Sequence, residues 1–241
     1  MLPISLFEAI LACSIVAVAS CVQGSIGFGL AVMAAPLLVL IEPDFIPAPL
    51  ILNGMVLVVL LAYRERKTVD RNGVKWMAIG CVPGSAIAAV VLTALSASGF
   101  RIMFSVLVMM AVVLSALGFS IRLTRVNIWI AGVLSGFMGT TSSIGGPPVA
   151  LIYQHLPGAR FRGTLSTYFC VAGTFAIIAL ILAGRCGKDE LLLALVILPG
   201  LLVGLAFSKL TASMLDRHSM RPAVLILSGV SAIAVLVRTI L

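Results

Sequence analysis

Two short stretches carry the residue types with which this chain could hold a ligand. The first is Gln23-Gly24-Ser25-Ile26-Gly27-Phe28-Gly29, and the second is Gly139-Thr140-Thr141-Ser142-Ser143-Ile144-Gly145-Gly146-Pro147-Pro148. Each interrupts a long apolar run. Glycine weakens a helix and proline removes an amide donor, so the backbone ladder is expected to open at both places and a new helix to start near Phe28 and near Pro147 or Pro148. A helix N-terminus presents free amides and about half a positive charge. Two such ends converging at mid-membrane would bind an anion without a fixed Lys or Arg. Hydroxyls and amides supply the remaining hydrogen bonds an oxyanion accepts: Gln23 and Ser25 in the first break, Thr140, Thr141, Ser142 and Ser143 in the second, with Asn53 and Thr167 on the spans that follow. The candidate substrate-binding set is therefore Gln23, Gly24, Ser25, Gly27, Phe28, Gly29, Asn53, Thr140, Thr141, Ser142, Ser143, Gly145, Gly146 and Thr167.

The rest of the chemistry-bearing inventory is sparse. Two histidines, eight carboxylates and five scattered cysteines give no metal spacing and no nucleophile-base set, so neither catalytic nor metal residues nor a cofactor are expected. Cys13, Cys21, Cys81, Cys170 and Cys186 form no CxxC pair and read as small core residues. Glu42, Asp44, Asp189 and Glu190 fall in connectors, which leaves the coupling ion, proton or sodium, unread.

The elements that must position the two breaks follow from composition. Of 241 residues 61% are hydrophobic and 10% charged, a balance that would force a water-soluble fold to expose large apolar patches. Apolar runs long enough for a hydrocarbon core of about 30 Å recur at Ile46 to Tyr63, Trp76 to Leu95, Ile102 to Ile121, Leu165 to Ala183, Leu191 to Leu210 and Ala223 to Val237. Alternating segments of the β-barrel kind are not visible. The net charge of +8 comes from Lys and Arg in short connectors without aromatic interleaving, which argues against nucleic acid as a partner and for a lipid bilayer.

At an offset of 112, Gly24 falls on Gly136, Gly27 on Gly139 and Pro36 on Pro148; further along, Pro83-Gly84 matches Pro199-Gly200 at 116. The expected fold is an all-α polytopic membrane protein of two repeats, residues 1–121 and 122–241. Each repeat has a re-entrant or broken hairpin (4–41 and 127–156) and three transmembrane helices. Those spans are placed at about 45–63, 74–95 and 99–120, then 163–184, 190–210 and 219–240. In the second hairpin the break should leave flanking pieces of about 12 residues, the length of re-entrant segments. If each hairpin returns to the side it entered, twelve of the sixteen Lys and Arg share one side, leaving Arg101, Arg185, Lys188 and Arg238 opposite. The positive-inside rule then puts both termini in the periplasm, and three crossings per half make the second repeat inverted relative to the first.

Gly24 to Pro36 resembles the opening glycine motif of the TauE/SafE sulfite exporter family of bacterial membrane permeases, and Gly136 to Pro148 resembles that family's repeat of the motif. The resemblance covers essentially the whole chain. It implies export of sulfite or a small organosulfonate such as sulfoacetate across the bacterial inner membrane. The first break departs from the family's longer glycine run, because Ser25 and Phe28 separate single glycines. The expected activity is secondary transport of a small anion by alternating access; a passive anion channel and a non-transport assembly partner of a membrane complex are the alternatives. Helices rich in small residues could support a homodimer, although no seam stands out.

Overall fold

A computed structural model describes residues 4–117 and 121–211. The expected span 219–240 and residues Arg217, Arg221 and Arg238 lie outside the described residues. Among the described residues the chain is helical throughout, with no strand. In order the helices are α1 (Leu6–Ile26), α2 (Leu30–Ile41), a 3₁₀ turn (Pro43–Phe45), α3 (Ala48–Arg64), α4 (Arg71–Ala94), α5 (Ala97–Leu117), α6 (Arg125–Ser142), α7 (Gly146–Tyr153), α8 (Gly158–Leu182) and α9 (Lys188–Thr211). Among the described residues six stretches are long and apolar enough to cross a membrane: Leu6–Ile26, Pro43–Arg64, Arg71–Ala94, Ala97–Leu114, Gly158–Leu182 and Lys188–Ser208. The chain is a multi-pass membrane protein. Large apolar side chains on the outer faces, such as Leu6, Val90 and Leu182, are exposed as lipid-facing residues should be.

Local sequence explains where helices start. Ser5 caps α1 and Glu8 answers its backbone in a reciprocal capping box, while Asp70 and Thr124 accept the amides of Gly73 and Asn127 at the starts of α4 and α6. Pro147 and Pro148 occupy the first turn of α7, where a missing N–H costs nothing.

The chain does break where the glycines suggest, at Gly27-Phe28-Gly29 and at Ser143-Ile144-Gly145. The limbs differ from expectation. Helix α6 has 18 residues and α7 has 8, rather than about 12 each: α6 stays helical past Gly139, and within it the hydroxyls of Thr141 and Ser142 are satisfied on the carbonyls of Phe137 and Met138. In the first hairpin α1 has 21 residues and α2 has 12, about 31 and 18 Å at 1.5 Å per residue. A full-length limb thus enters each break and a short one leaves it.

Packing joins the two ends of the sequence crosswise. Helix α1 lies along α9, α4 along α6, and α3 along α8. Glycines make the first two seams backbone-to-backbone. A Cβ at Gly80 or Gly84 of α4 would collide with the carbonyls of Trp129 or Val133, and one at Gly132 or Gly136 of α6 with those of Met77 or Cys81. Gly200 and Gly204 of α9 meet the carbonyls of Cys13 and Ala17 of α1 in the same way. Small residues spaced four apart permit such approach in lipid, where close packing has to supply what hydrophobic burial does not.

Candidate functional site

Helix α3 sets the geometry of the site. At one of its ends Arg64 donates through Nη2 to the carbonyl of Gly24, next to the first break, at 3.2 Å. At its other end Ser143, in the second break, donates through Oγ to the carbonyl of Pro47 at 2.9 Å. Opposite ends of α3 thus hold the two hairpins, one through the Gly24 carbonyl a turn before the first break and the other through Ser143 in the second. Between them lies a cavity of about 100 Å³, room for several waters or one small polyatomic anion.

The short limbs begin at this cavity. Gly29, Leu30, Ala31 and Val32 of the first break and α2 line it, as do Ser143, Ile144, Gly145 and Gly146 of the second break and α7. The breaks touch: the Phe28 ring lies against Gly146, where an added Cβ would come within 2.8 Å of Cδ2. The conformations that allow this differ between the two. Gly27 and Gly29 have φ of 98° and 125°, left-handed values that suit glycine, whereas Ser143 alone adopts φ of 65° in the second break.

Each break is braced by a side chain of its own long limb. Gln23 Oε1 accepts the Leu30 amide at 2.8 Å, capping α2, and Ser135 Oγ donates to the Gly145 carbonyl at 2.6 Å. These two braces stand 112 residues apart, the offset of the glycine motifs. First-turn amides have no intrahelical acceptor, and Gln23 takes only one of them; the amides of Gly29, Ala31 and Gly145 have no backbone or side-chain acceptor among the described residues. Among the described residues no ionisable side chain lines the cavity. What the cavity offers an anion is therefore amides and glycine backbone in a carbon-lined chamber whose low polarity strengthens them, while its hydroxyls, Ser135, Thr140 and Ser143, donate to Gly145, Ser85 and Pro47.

The candidate residues divide into two groups. Gln23, Phe28, Gly29, Thr140, Ser143, Gly145 and Gly146 line the cavity together. Gly24, Ser25, Gly27, Asn53, Thr141, Ser142 and Thr167 do not. Ser25 turns to α9, donating to the Cys21 and Ser208 carbonyls, and Gly24 packs against the Ser208 side chain. Gly27 closes on the aliphatic stem of Arg162. Asn53 is 2% exposed and gives its amide protons to the carbonyls of Pro49 and Ala194, tying α3 to α9. Thr141 and Ser142 spend their hydroxyls on α6 itself. Thr167 is half-buried on α8 away from the cavity. Ordinary helical geometry accounts for the split, since hydroxyls at successive positions of one helix face different directions.

Sequence reasoning missed the wall formed by α3 and α8. Leu50, Ile51, Met55 and Val58 face Phe169, Ala172, Gly173 and Ala176 across the cavity, and a Cβ at Gly173 would strike Met55 Sδ. Nothing in the local composition distinguishes these from other apolar span residues, although the small triplet Ala172-Gly173 with Ala176 one turn on was a usable sign of close approach. Ser135 was also missed, though it is the repeat counterpart of Gln23 at the 112 offset.

The family model described as sulfite exporter TauE/SafE matches residues 12–235. No curated protein and no solved structure gives a match.

Proposed function

This chain belongs to the TauE/SafE sulfite exporter family, and from that premise we propose that it exports a small sulfur-containing anion, sulfite or an organosulfonate such as sulfoacetate, by alternating access at the cavity between its two breaks. The observation that carries the reading is that α2 and α7 both begin at one uncharged cavity and touch there through Phe28 and Gly146. The unpaired amides of Gly29, Ala31 and Gly145 form the proposed anion cradle, which Thr140 and Ser143 join by turning their hydroxyls from Ser85 and Pro47; the carbon-rich α3 and α8 wall takes the remainder of the cargo. A dipole-based site releases its cargo more readily than a buried cation would, because no full charge has to be left uncompensated when the anion departs.

We further propose that the halves are inverted repeats in a bacterial inner membrane with periplasmic termini. Crosswise pairing of α1 with α9 and of α4 with α6 supports the repeat. The meeting of the α3–α4 and α7–α8 connectors, which bring Arg64, Arg66, Lys67, Arg160 and Arg162 to one end, supports the orientation by the positive-inside rule.

The test is uptake of radiolabelled sulfite, sulfoacetate and acetate into proteoliposomes. Saturable, protein-dependent uptake of a sulfur anion that is accelerated by the same anion trapped inside is the expected result. Uptake linear in concentration would replace the transporter with a passive channel, and no uptake under imposed proton or sodium gradients would leave an assembly partner.

A further inference from the structure

The only ion pairs among the described residues converge on one carboxylate, and they grip the first break. Glu65 Oε1 accepts from Arg64 Nε at 3.3 Å and from Arg162 through Nη2 at 3.1 Å and Nε at 3.2 Å. Arg64 belongs to the end of α3 and Arg162 to the first turns of α8, so Glu65 bridges elements almost a hundred residues apart in sequence. Both guanidinium arms also hold the break: Arg64 Nη2 bonds the Gly24 carbonyl, and the Arg162 stem fills the space that a side chain at Gly27 would need. Around them the α3–α4 connector is tied to the second half by Thr68 Oγ1 on the Ala159 carbonyl, the Asp70 amide on Thr164 Oγ1 and the Tyr153 hydroxyl on Asp70 Oδ2. At the opposite end of α3 the second break is held by an uncharged contact, Ser143 on Pro47.

We infer that Arg64 and Arg162 form a first anion site on the outer side of the first break, whose Phe28 and Gly29 line the cavity, and that Glu65 occupies it as an internal anion, latching the break. The two guanidiniums are 34% and 26% exposed at their side chains and Glu65 is 14% exposed, so a dissolved oxyanion can reach the same donors that the carboxylate now uses. An arriving oxyanion that displaces Glu65 and binds Arg64 in bidentate fashion also takes Nη2, the donor that now holds the Gly24 carbonyl, and so loosens the grip on the first break. Binding at this site and release of the first break are then one event, and the partial exposure of the pair keeps the exchange cheap. The inference rests on the transport reading only in treating the cavity behind the latch as the cargo site.

Hydrogen-deuterium exchange on the full-length protein in detergent tests it, with sulfite or sulfate added at constant ionic strength. In the wild type either anion is expected to raise exchange at residues 24–29 by about fivefold or more, within the usual range of coupling between two sites, while 140–146 stay unchanged. Glu65→Gln should show the raised exchange without added anion, Arg162→Gln should show it and ignore the anion, and Glu65→Asp should keep the wild-type response. Unchanged exchange at 24–29 in Glu65→Gln, a uniform rise along the chain, or a wild type blind to both anions would each overturn the latch. Flux measured on the same preparations separates the two readings: transport without an exchange response counts against the latch alone, and a latch response without transport counts against the exporter.

Discussion

The two breaks do similar work by different means. The first depends on glycine: Gly27 and Gly29 take left-handed conformations, and charged arms from α3 and α8 hold the loop from outside. The second depends on hydroxyls: Ser135, Thr140 and Ser143 tie the break to its own hairpin, to Ser85 of α4 and to Pro47. Gly27-Phe28-Gly29 and Ser143-Ile144-Gly145 are 116 residues apart, whereas the glycine and proline motifs repeat at 112, so the second break lies one helical turn later than its motif. Gly139 consequently stays inside α6, while Pro36 is in the interior of α2 and Pro148 in the first turn of α7. In the second half the helix runs on through the hydroxyl run and breaks after it, whereas in the first half it breaks at the glycines themselves.

The contrast can be broken first where the breaks meet. Gly146→Val places carbon into the Phe28 ring and the start of α7, and it should cut flux by about 100-fold, the loss of roughly 2.7 kcal/mol of productive binding geometry, with insertion and monodispersity retained on gel filtration. Next in size, Gly27→Ala should destabilise the fold by about 1–2 kcal/mol from its left-handed backbone alone, before the Arg162 stem shifts. Ser143→Gly should be near neutral, because relief of its own left-handed backbone offsets a lost hydrogen bond of about 1 kcal/mol. Thermal unfolding in detergent reads both, and equal losses would erase the distinction between a glycine break and a hydroxyl break. Smaller again, Gln23→Leu should cost about 1 kcal/mol, as loss of a helix cap does, and should lower flux through α2 rather than through α7.

Much of this was legible in the residues. Five of the six apolar runs, the sixth lying outside the described residues, both break locations to within a turn, and the meeting of the basic α3–α4 and α7–α8 connectors follow from hydropathy, glycine, proline and charge, which act locally. Leu6–Ile26, by contrast, is long enough to cross by itself, whereas the sequence reads it as part of a broken hairpin. The split of the hydroxyl run was not legible, since Thr140 and Ser143 reach the cavity while Thr141 and Ser142 bond back to α6, and only the phase of that helix decides which does which. Asn53 reads like a site residue because it is a buried amide in a span; in the structure it lies off the cavity and its amide protons tie α3 to α9. The reach of Arg64 and Arg162 to the first break depends on long-range packing that no spacing of residues announces.

The most direct measurement compares two double variants in proteoliposomes loaded for sulfite exchange: Thr140→Ala with Ser143→Ala, and Thr141→Ala with Ser142→Ala. An anion site between the breaks requires the first pair to lower kcat/KM by at least about tenfold, or roughly 1.4 kcal/mol, with the second pair staying within about twofold of wild type. Equal losses in both pairs, or a larger loss in Thr141 and Ser142, would place the anion somewhere other than this cavity.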